Sequence, residues 1–196
     1  MTGTIKDIVR VRRHLINLII MTALWIVSSF DYYLLNFQTK HIEGNIFLNT
    51  FSSSISELPA TIISGLMYKK LGLKITLVFW FSNAFLGGLC YVLFGNSNES
   101  LIPVFLLFAK GGVTGTFTIC YLANAHIFPA IIAGTAFGIC NFGAKSTTIL
   151  SPLVAEVNPP IPMILFCVTT FLGCILSLLI RKDPSRSGAK KKEEKT

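Results

Sequence analysis

The chain has 196 residues, of which 52% are apolar and 13% charged, and its net charge is +8. So few polar side chains could not hydrate the surface of a water-soluble domain of this length, so the composition excludes that class and leaves a membrane protein. The positive charge does not imply a nucleic-acid partner, because it is grouped beside apolar stretches and not spread over a face.

Crossing the ~30 Å hydrocarbon core takes about 20 mostly apolar residues, since every backbone N–H and C=O must find a partner within the helix. A basic segment, residues 1–13, precedes the first such stretch, 14–37, which is too long for a signal-peptide core and is expected to stay as an anchor. Residues 38–44 lead to the second stretch, 45–68, which holds Ser52, Ser53, Ser54, Ser56, Glu57 and Pro59. Pro59 removes one helical hydrogen bond and predicts a kink, and the serines are placed to satisfy the freed carbonyls or to line water. Residues 69–74 join this stretch to the third, 75–94. Residues 95–100 carry the sequon Asn98-Glu99-Ser100, whose closeness to two helices argues against its use, and lead to the fourth stretch, 101–127. The fifth, 129–154, follows almost directly at Pro129, and residues 155–161 precede the sixth, 162–180. The expected domain is therefore residues 14–180, followed by a basic tail, 181–196, that lacks the apolar area to fold and reads as disordered. No link is long enough for a soluble domain. The predicted fold class is an all-α membrane protein of six transmembrane helices embedded in a lipid bilayer.

Lysines and arginines orient this bundle. Lys6, Arg10, Arg12 and Arg13 lie before the first helix, Lys69, Lys70 and Lys74 in the second loop, and seven more in the tail, all on one side, whereas Lys40 falls on the other. The positive-inside bias places that side and both termini in the cytoplasm, in a plasma membrane or endomembrane. The five cysteines, Cys90, Cys120, Cys140, Cys167 and Cys174, sit in apolar stretches without metal spacing and read as buried packing.

A charge in hydrocarbon costs at least about 2.5 kcal/mol, so such residues pair or face a wet cavity. Asp31 lies on the first helix, Glu57 on the second, Lys110 on the fourth and Lys145 on the fifth, while the third and sixth carry charges only at their ends. Helices one, two, four and five are thus expected to surround a polar space, in a duplicated unit of three helices. Inverted repeats of this kind hold a solute site at their interface. The bland alternative is that the acids and lysines pair only to cancel charge. Tyr32, Tyr33 and Tyr121 set rings and hydroxyls near these positions and could stack on a flat organic solute, or could be interfacial belt residues. Asn141, one turn before Lys145, is expected on the same face. Gly111-x-x-x-Gly115 and Gly134-x-x-x-Gly138 predict close helix approach on the fourth and fifth helices. A catalytic site is not indicated: His14 and His126 lie near helix ends, no Ser, His and acid converge, and no glycine loop follows a strand. No cofactor is expected.

Taken in order, several motifs resemble the C-terminal half of the major facilitator superfamily, nearest its organic cation/organic anion transporter branch. Asp31-Tyr32-Tyr33 with Gly44-Asn45-Ile46-Phe47-Leu48-Asn49 is similar to the family's seventh helix and outer loop, and Ser56-Glu57-Leu58-Pro59-Ala60 to its E-[LI]-P-A motif. Residues 65–74 (GLMYKKLGLK) resemble the cytoplasmic G-x-x-x-D-R-x-G-R-[KR] loop. A longer match runs from Ala109-Lys110-Gly111 through Tyr121-Leu122 and Phe128-Pro129 to Gly138-Ile139-Cys140 and Ser151-Pro152-Leu153-Val154. The resemblance implies a major-facilitator-type half bundle of two inverted three-helix repeats, and alternating access to a central cavity lined by the four charged helices. At the position of Lys145 the family carries an acid in cation carriers and a base in anion carriers, so the resemblance leans toward organic anions. Lys110 matches a common basic position, and Asp31 could neutralise either lysine.

The chain also departs from the family. Lys69 stands where the loop has an acid and Leu73 where it has an arginine, and near Pro129, His126 replaces an acid and Ala133 an arginine. Those charges form a cytoplasmic latch in the family, so a rewired latch is expected, with Lys70, Gly72, Lys74, His126 and Pro59 as the gating positions. The other cavity wall is missing. It would come from a separate N-terminal six-helix half or from a second copy. The rival reading is a non-transporting half-carrier acting as a structural or regulatory membrane subunit, or a truncated gene product.

Overall fold

A computed structural model describes residues 11–42, 45–97 and 99–180. The expectations for Lys6, Arg10, Gly44, the sequon residue Asn98 and the tail 181–196 lie outside the described residues. The helices are α1 (Arg12–Gln38), α2 (Ile46–Leu71), α3 (Leu73–Phe94), α4 (Ile102–Ile127), α5 (Ala130–Thr148), the short α6 (Ser151–Ala155) and α7 (Ile161–Leu179), with single 3-10 turns between some of them.

The run Arg12–His41, α3, α4 and α7 are each long and apolar enough to cross a membrane. The protein is an all-α, multi-pass membrane bundle. α2 and α5 are more polar: α2 contains Asn49, five serines and Glu57, and α5 contains Asn141, Lys145, Ser146, Thr147 and Thr148.

Two boundaries differ from the sequence expectation. α2 continues through Lys69 and Lys70 to Leu71, so the expected loop shrinks to Gly72 at φ +80, a left-handed conformation that a Cβ would strain. The fifth stretch is broken: α5 stops at Thr148 and α6 restarts at Ser151 with Pro152 in its first turn. There the missing proline N–H is harmless, whereas inside a continuous helix it would remove a hydrogen bond. Pro59 does sit inside α2. Ser56 donates to Ser53 O at 2.7 Å, not to the Ile55 carbonyl that Pro59 deprives of its helical donor.

α4 runs between α2 and α3, α1 packs on α5 and α7, α3 packs on α7, and α1 crosses α4 at the centre. Lipid tails are as apolar as leucine, so helices associate here through tight contact more than through expulsion of water. α3 and α4 show how tight. A Cβ on Gly87 would overlap the Ala109 backbone, one on Gly112 the Ala84 backbone, and one on Gly115 the Trp80 ring. On α5 the expectation is corrected: a Cβ on Gly134 or Gly138 meets nothing within 4 Å, and α5 approaches α1 instead at Gly143, where a Cβ would lie 3.1 Å from Thr22. Gly112→Val is therefore expected to cost about 3 kcal/mol or more, since two backbones would have to part. Gly138→Ala should leave stability unchanged or raise it by up to about 1 kcal/mol, because alanine is the better helix former. Denaturant titration of the chain in lipid bicelles measures both.

The bundle has two electrostatically different ends. At the first, Lys74 Nζ donates to Leu178 O of α7 at 2.9 Å, and the start of α1, the Gly72 turn and the α4–α5 link share this end with Arg12, Arg13, Lys69 and Lys70. We call it the basic end. At the opposite end Lys40 hydrogen-bonds and ion-pairs with Glu156, and His41 Nε2 lies 3.4 Å from the same carboxylate. The Lys40 hydrogen bond holds the Glu156 carboxyl below its ordinary range. These side chains are exposed, so the pair contributes little to stability.

Candidate functional site

Lys110 sits on the central helix α4 and only 2% of its side chain is exposed, yet it finds partners from two other helices. Its ammonium donates to Asn36 Oδ1 at 2.6 Å and to the Tyr32 carbonyl at 3.4 Å, and stands 3.4 Å from the centre of the Tyr32 ring. Glu57 Oε1 of α2 approaches to 3.4 Å and also accepts a hydrogen bond from the Tyr32 hydroxyl at 3.1 Å. A desolvated ammonium is tolerable only with this density of acceptors and with a ring face beside it. The carboxylate is about a third exposed, so the pair opens to one side.

Lys145 of α5 flanks this cluster. Its Nζ donates to the Tyr33 hydroxyl at 3.4 Å and lies 5.1 Å from the Tyr33 ring centre, and no carboxylate pairs with it among the described residues. Tyr32 and Tyr33 meet edge to face at 5.4 Å, linking the two lysines through consecutive residues of α1. Asn141 lies one turn earlier on α5, and its Oδ1 is buried without a partner.

From Tyr32 an aromatic column runs toward the basic end. Tyr32 stacks on Phe117 at 5.7 Å, Phe117 meets Tyr121 at 5.1 Å, and Tyr121 meets the fully buried Trp25 at 4.8 Å. Phe137 of α5 closes it, 5.1 Å from Trp25 and 5.8 Å from Tyr121. Tyr121 remains partly exposed. The result is a wall of aromatic faces and edges beneath a charged cluster, a surface that suits a flat ionic organic molecule.

Asp31 is elsewhere. It is fully buried on the side of α1 that faces α7, where the Thr169 hydroxyl lies 2.7 Å from Oδ1, while Oδ2 has no partner. It therefore neutralises neither lysine; Glu57 serves Lys110. Each residue turns an α-helix by about 100°, so Asp31 points about 100° away from Tyr32 and nearly opposite Tyr33, whereas the two tyrosine rings still reach each other. The largely apolar α7 thus supplies a hydroxyl partner to a buried charge of α1.

Several contributors were not singled out from the sequence, although spacing could have found some. Asn36 lies one turn after Tyr32, Phe117 one turn before Tyr121, and Phe137, Asn141 and Lys145 recur every fourth position on α5. Trp25 and Thr169 had no such signal. Of the expected gating positions, Gly72 forms the α2–α3 turn, Lys74 binds Leu178 O, and the His126 ring packs 5.4 Å from Tyr68. Lys69, Lys70 and His126 line one groove with Gly72, and Pro59 stays apart on α2.

Among the described residues no three His, Cys, Asp or Glu side chains are grouped to hold a metal. No family model matches the chain. It is similar to organic cation/carnitine transporter 4 of Arabidopsis thaliana, at 27% identity over 177 residues, covering 87% of this chain and 33% of that protein. Organic cation/carnitine transporter 2 of Homo sapiens is 28% identical over 168 residues, 83% of this chain and 30% of the relative. Organic anion transporter 3 of Mus musculus is 27% identical over 156 residues, 78% of this chain and 29% of the relative. The chain spans about a third of the length of the curated relatives it matches.

Proposed function

We propose that this chain is one six-helix half of a secondary carrier that moves small organic ions, with a preference for organic anions, across a membrane by alternating access. The observation that carries this reading is a charge imbalance at one open site. Glu57 balances Lys110 within hydrogen-bonding distance, Asp31 is turned away, and Lys145 stands on Tyr33 with no carboxylate beside it. An organic anion gains from that unbalanced ammonium, and the aromatic column beneath it receives a flat apolar body. Lys145 holds the charged group, Tyr33, Tyr121 and Asn141 contact the body, and the Lys110, Glu57 and Tyr32 cluster ties α1, α2 and α4 together beside it. No chemistry is performed on the solute.

The packing supports an inverted repeat. Exchanging α1 with α4, α2 with α5 and α3 with α7 turns the α2–α4 contact into α5–α1 and the α3–α4 contact into α7–α1. In this reading α2 and α5 complete six spans, and the basic end is the cytoplasmic one, by the positive-inside bias. α2 and α5 are the outermost helices of the bundle, each resting mainly on one neighbour, and the Gly134 and Gly138 face of α5 is open. A separate six-helix half, or a second copy of this chain, covers those faces and supplies the other cavity wall. The α2–α3 turn at Gly72 and the Lys74 bond to Leu178 then lie where the halves part, with Lys70 and His126 beside them and Pro59 farther along α2.

Thiol accessibility tests this directly. With Tyr33→Cys, Asn141→Cys and Lys145→Cys in membranes, a membrane-impermeant thiol reagent is expected to label each position from both faces, and a saturating organic anion to protect them. Positions that stay dry from both faces would instead support a structural or regulatory subunit whose charges serve only packing.

A further inference from the structure

A groove of about 790 Å³ lies at the basic end, between the last turns of α2 and α4. Ile62, Leu66 and Leu122 form its apolar wall, and Lys69, Lys70 and His126 its rim. Ile62 and Lys70 are eight positions apart on one helix, which is about 12 Å at 1.5 Å per residue. Neither Lys69 nor Lys70 is paired with a described carboxylate. The described acids are Asp31 and Glu57 inside the bundle and Glu99 and Glu156 at the opposite end, so no described carboxylate lies at the basic end beside Arg12, Arg13, Lys69, Lys70 and Lys74.

The complement of such a groove is a molecule with negative charge at one end and hydrocarbon beneath it. A small soluble anion would satisfy the rim and leave the wall bare. A zwitterionic lipid would cover the wall but bring its own ammonium against two lysines. We propose that the groove binds an anionic glycerophospholipid, with the headgroup phosphate at Lys69 and Lys70 and an acyl chain along Ile62 and Leu66. This inference concerns the chain in a bilayer with the α2 groove uncovered, and a partner half seated on that face would compete with the lipid. It assigns a role to the lysine pair at a turn where the resembled family carries an acid.

The test places a tryptophan in the wall. Leu66→Trp, at a side chain 54% exposed, is made in the full chain and reconstituted in nanodiscs containing brominated phosphatidylglycerol or brominated phosphatidylcholine. Quenching beyond that of the native Trp25 and Trp80 reports lipid in the groove. Each lysine near an anionic lipid contributes roughly fivefold in affinity, so phosphatidylglycerol is expected to be preferred about tenfold or more. In the Lys69→Gln/Lys70→Gln variant the preference should fall to parity with helicity and unfolding midpoint unchanged. Equal quenching by the two lipids, an unaltered preference in the double variant, or loss of the preference when millimolar inorganic phosphate is added would each overturn the proposal. If Leu66→Trp folds poorly, Ile62→Trp reads the same wall from a position 63% exposed.

Discussion

Glu57→Leu is expected to destabilise the bundle by about 3 kcal/mol, more than Lys110→Met does, and the double variant to recover most of that loss. The asymmetry follows from burial. Removing Glu57 leaves the Lys110 ammonium, 2% exposed, with only Asn36, a carbonyl and a ring face. An unpaired buried charge costs about 3–5 kcal/mol, and the remaining dipoles put this case at the low end. Removing Lys110 instead leaves a carboxylate that is 36% exposed and can be hydrated, so the loss should be nearer 1–2 kcal/mol. Replacing both by apolar groups of similar volume removes the charge problem altogether. A denaturant-based double-mutant cycle should therefore give a coupling energy above about 1 kcal/mol. Additive losses would show that the two charges are not paired through the membrane-embedded cluster.

The same cluster shows how much of the fold is legible in the residues and where their order along the chain is not enough. α1, α3, α4 and α7 were legible because hydrocarbon imposes one rule on every backbone group it surrounds, and long apolar runs have no other way to obey it. The α5–α6 break was harder, since Ser151-Pro152 reads equally well as a kink inside one helix or as the start of another. Which charges meet was legible only in part. Linear proximity grouped Asp31 with Tyr32 and Tyr33, but helical rotation sends Asp31 to Thr169 and brings Asn36, a full turn away, to Lys110. The glycine motifs carry the same lesson. Gly111-x-x-x-Gly115 and Gly134-x-x-x-Gly138 are alike as patterns, yet Gly115 abuts Trp80 while the second pair faces open space, because a pattern names a smooth face without naming its neighbour.

In the proposed reading the two lysines divide into one that holds the bundle and one that meets the solute. Lys110 is held by four groups and joins α1, α2 and α4, so any change to it is read first as stability. Lys145 has one long hydrogen bond and an open flank, which makes it replaceable for folding and available to a solute. A site whose charge contributes little to the fold has that charge free for binding.

Lys145→Ala is accordingly expected to leave the unfolding midpoint within experimental scatter of the parent while weakening organic-anion binding to the chain by about 10- to 50-fold. Two unit charges 4 Å apart attract by about 4 kcal/mol at an effective dielectric near 20. Exposure of the ammonium reduces this to roughly 1.5–2.3 kcal/mol, and each 1.4 kcal/mol is tenfold in affinity. Lys145→Glu should go further, abolishing anion binding and admitting organic cations, because the carboxylate would then be the unbalanced charge over Tyr33. Equilibrium binding of a radiolabelled carboxylate and a radiolabelled quaternary amine to parent and variants measures both effects on the chain alone. Uptake into vesicles that also hold the complementary half should follow the same order. Equal anion affinity in parent and Lys145→Ala would remove this lysine from the site, and with it the preference for anions.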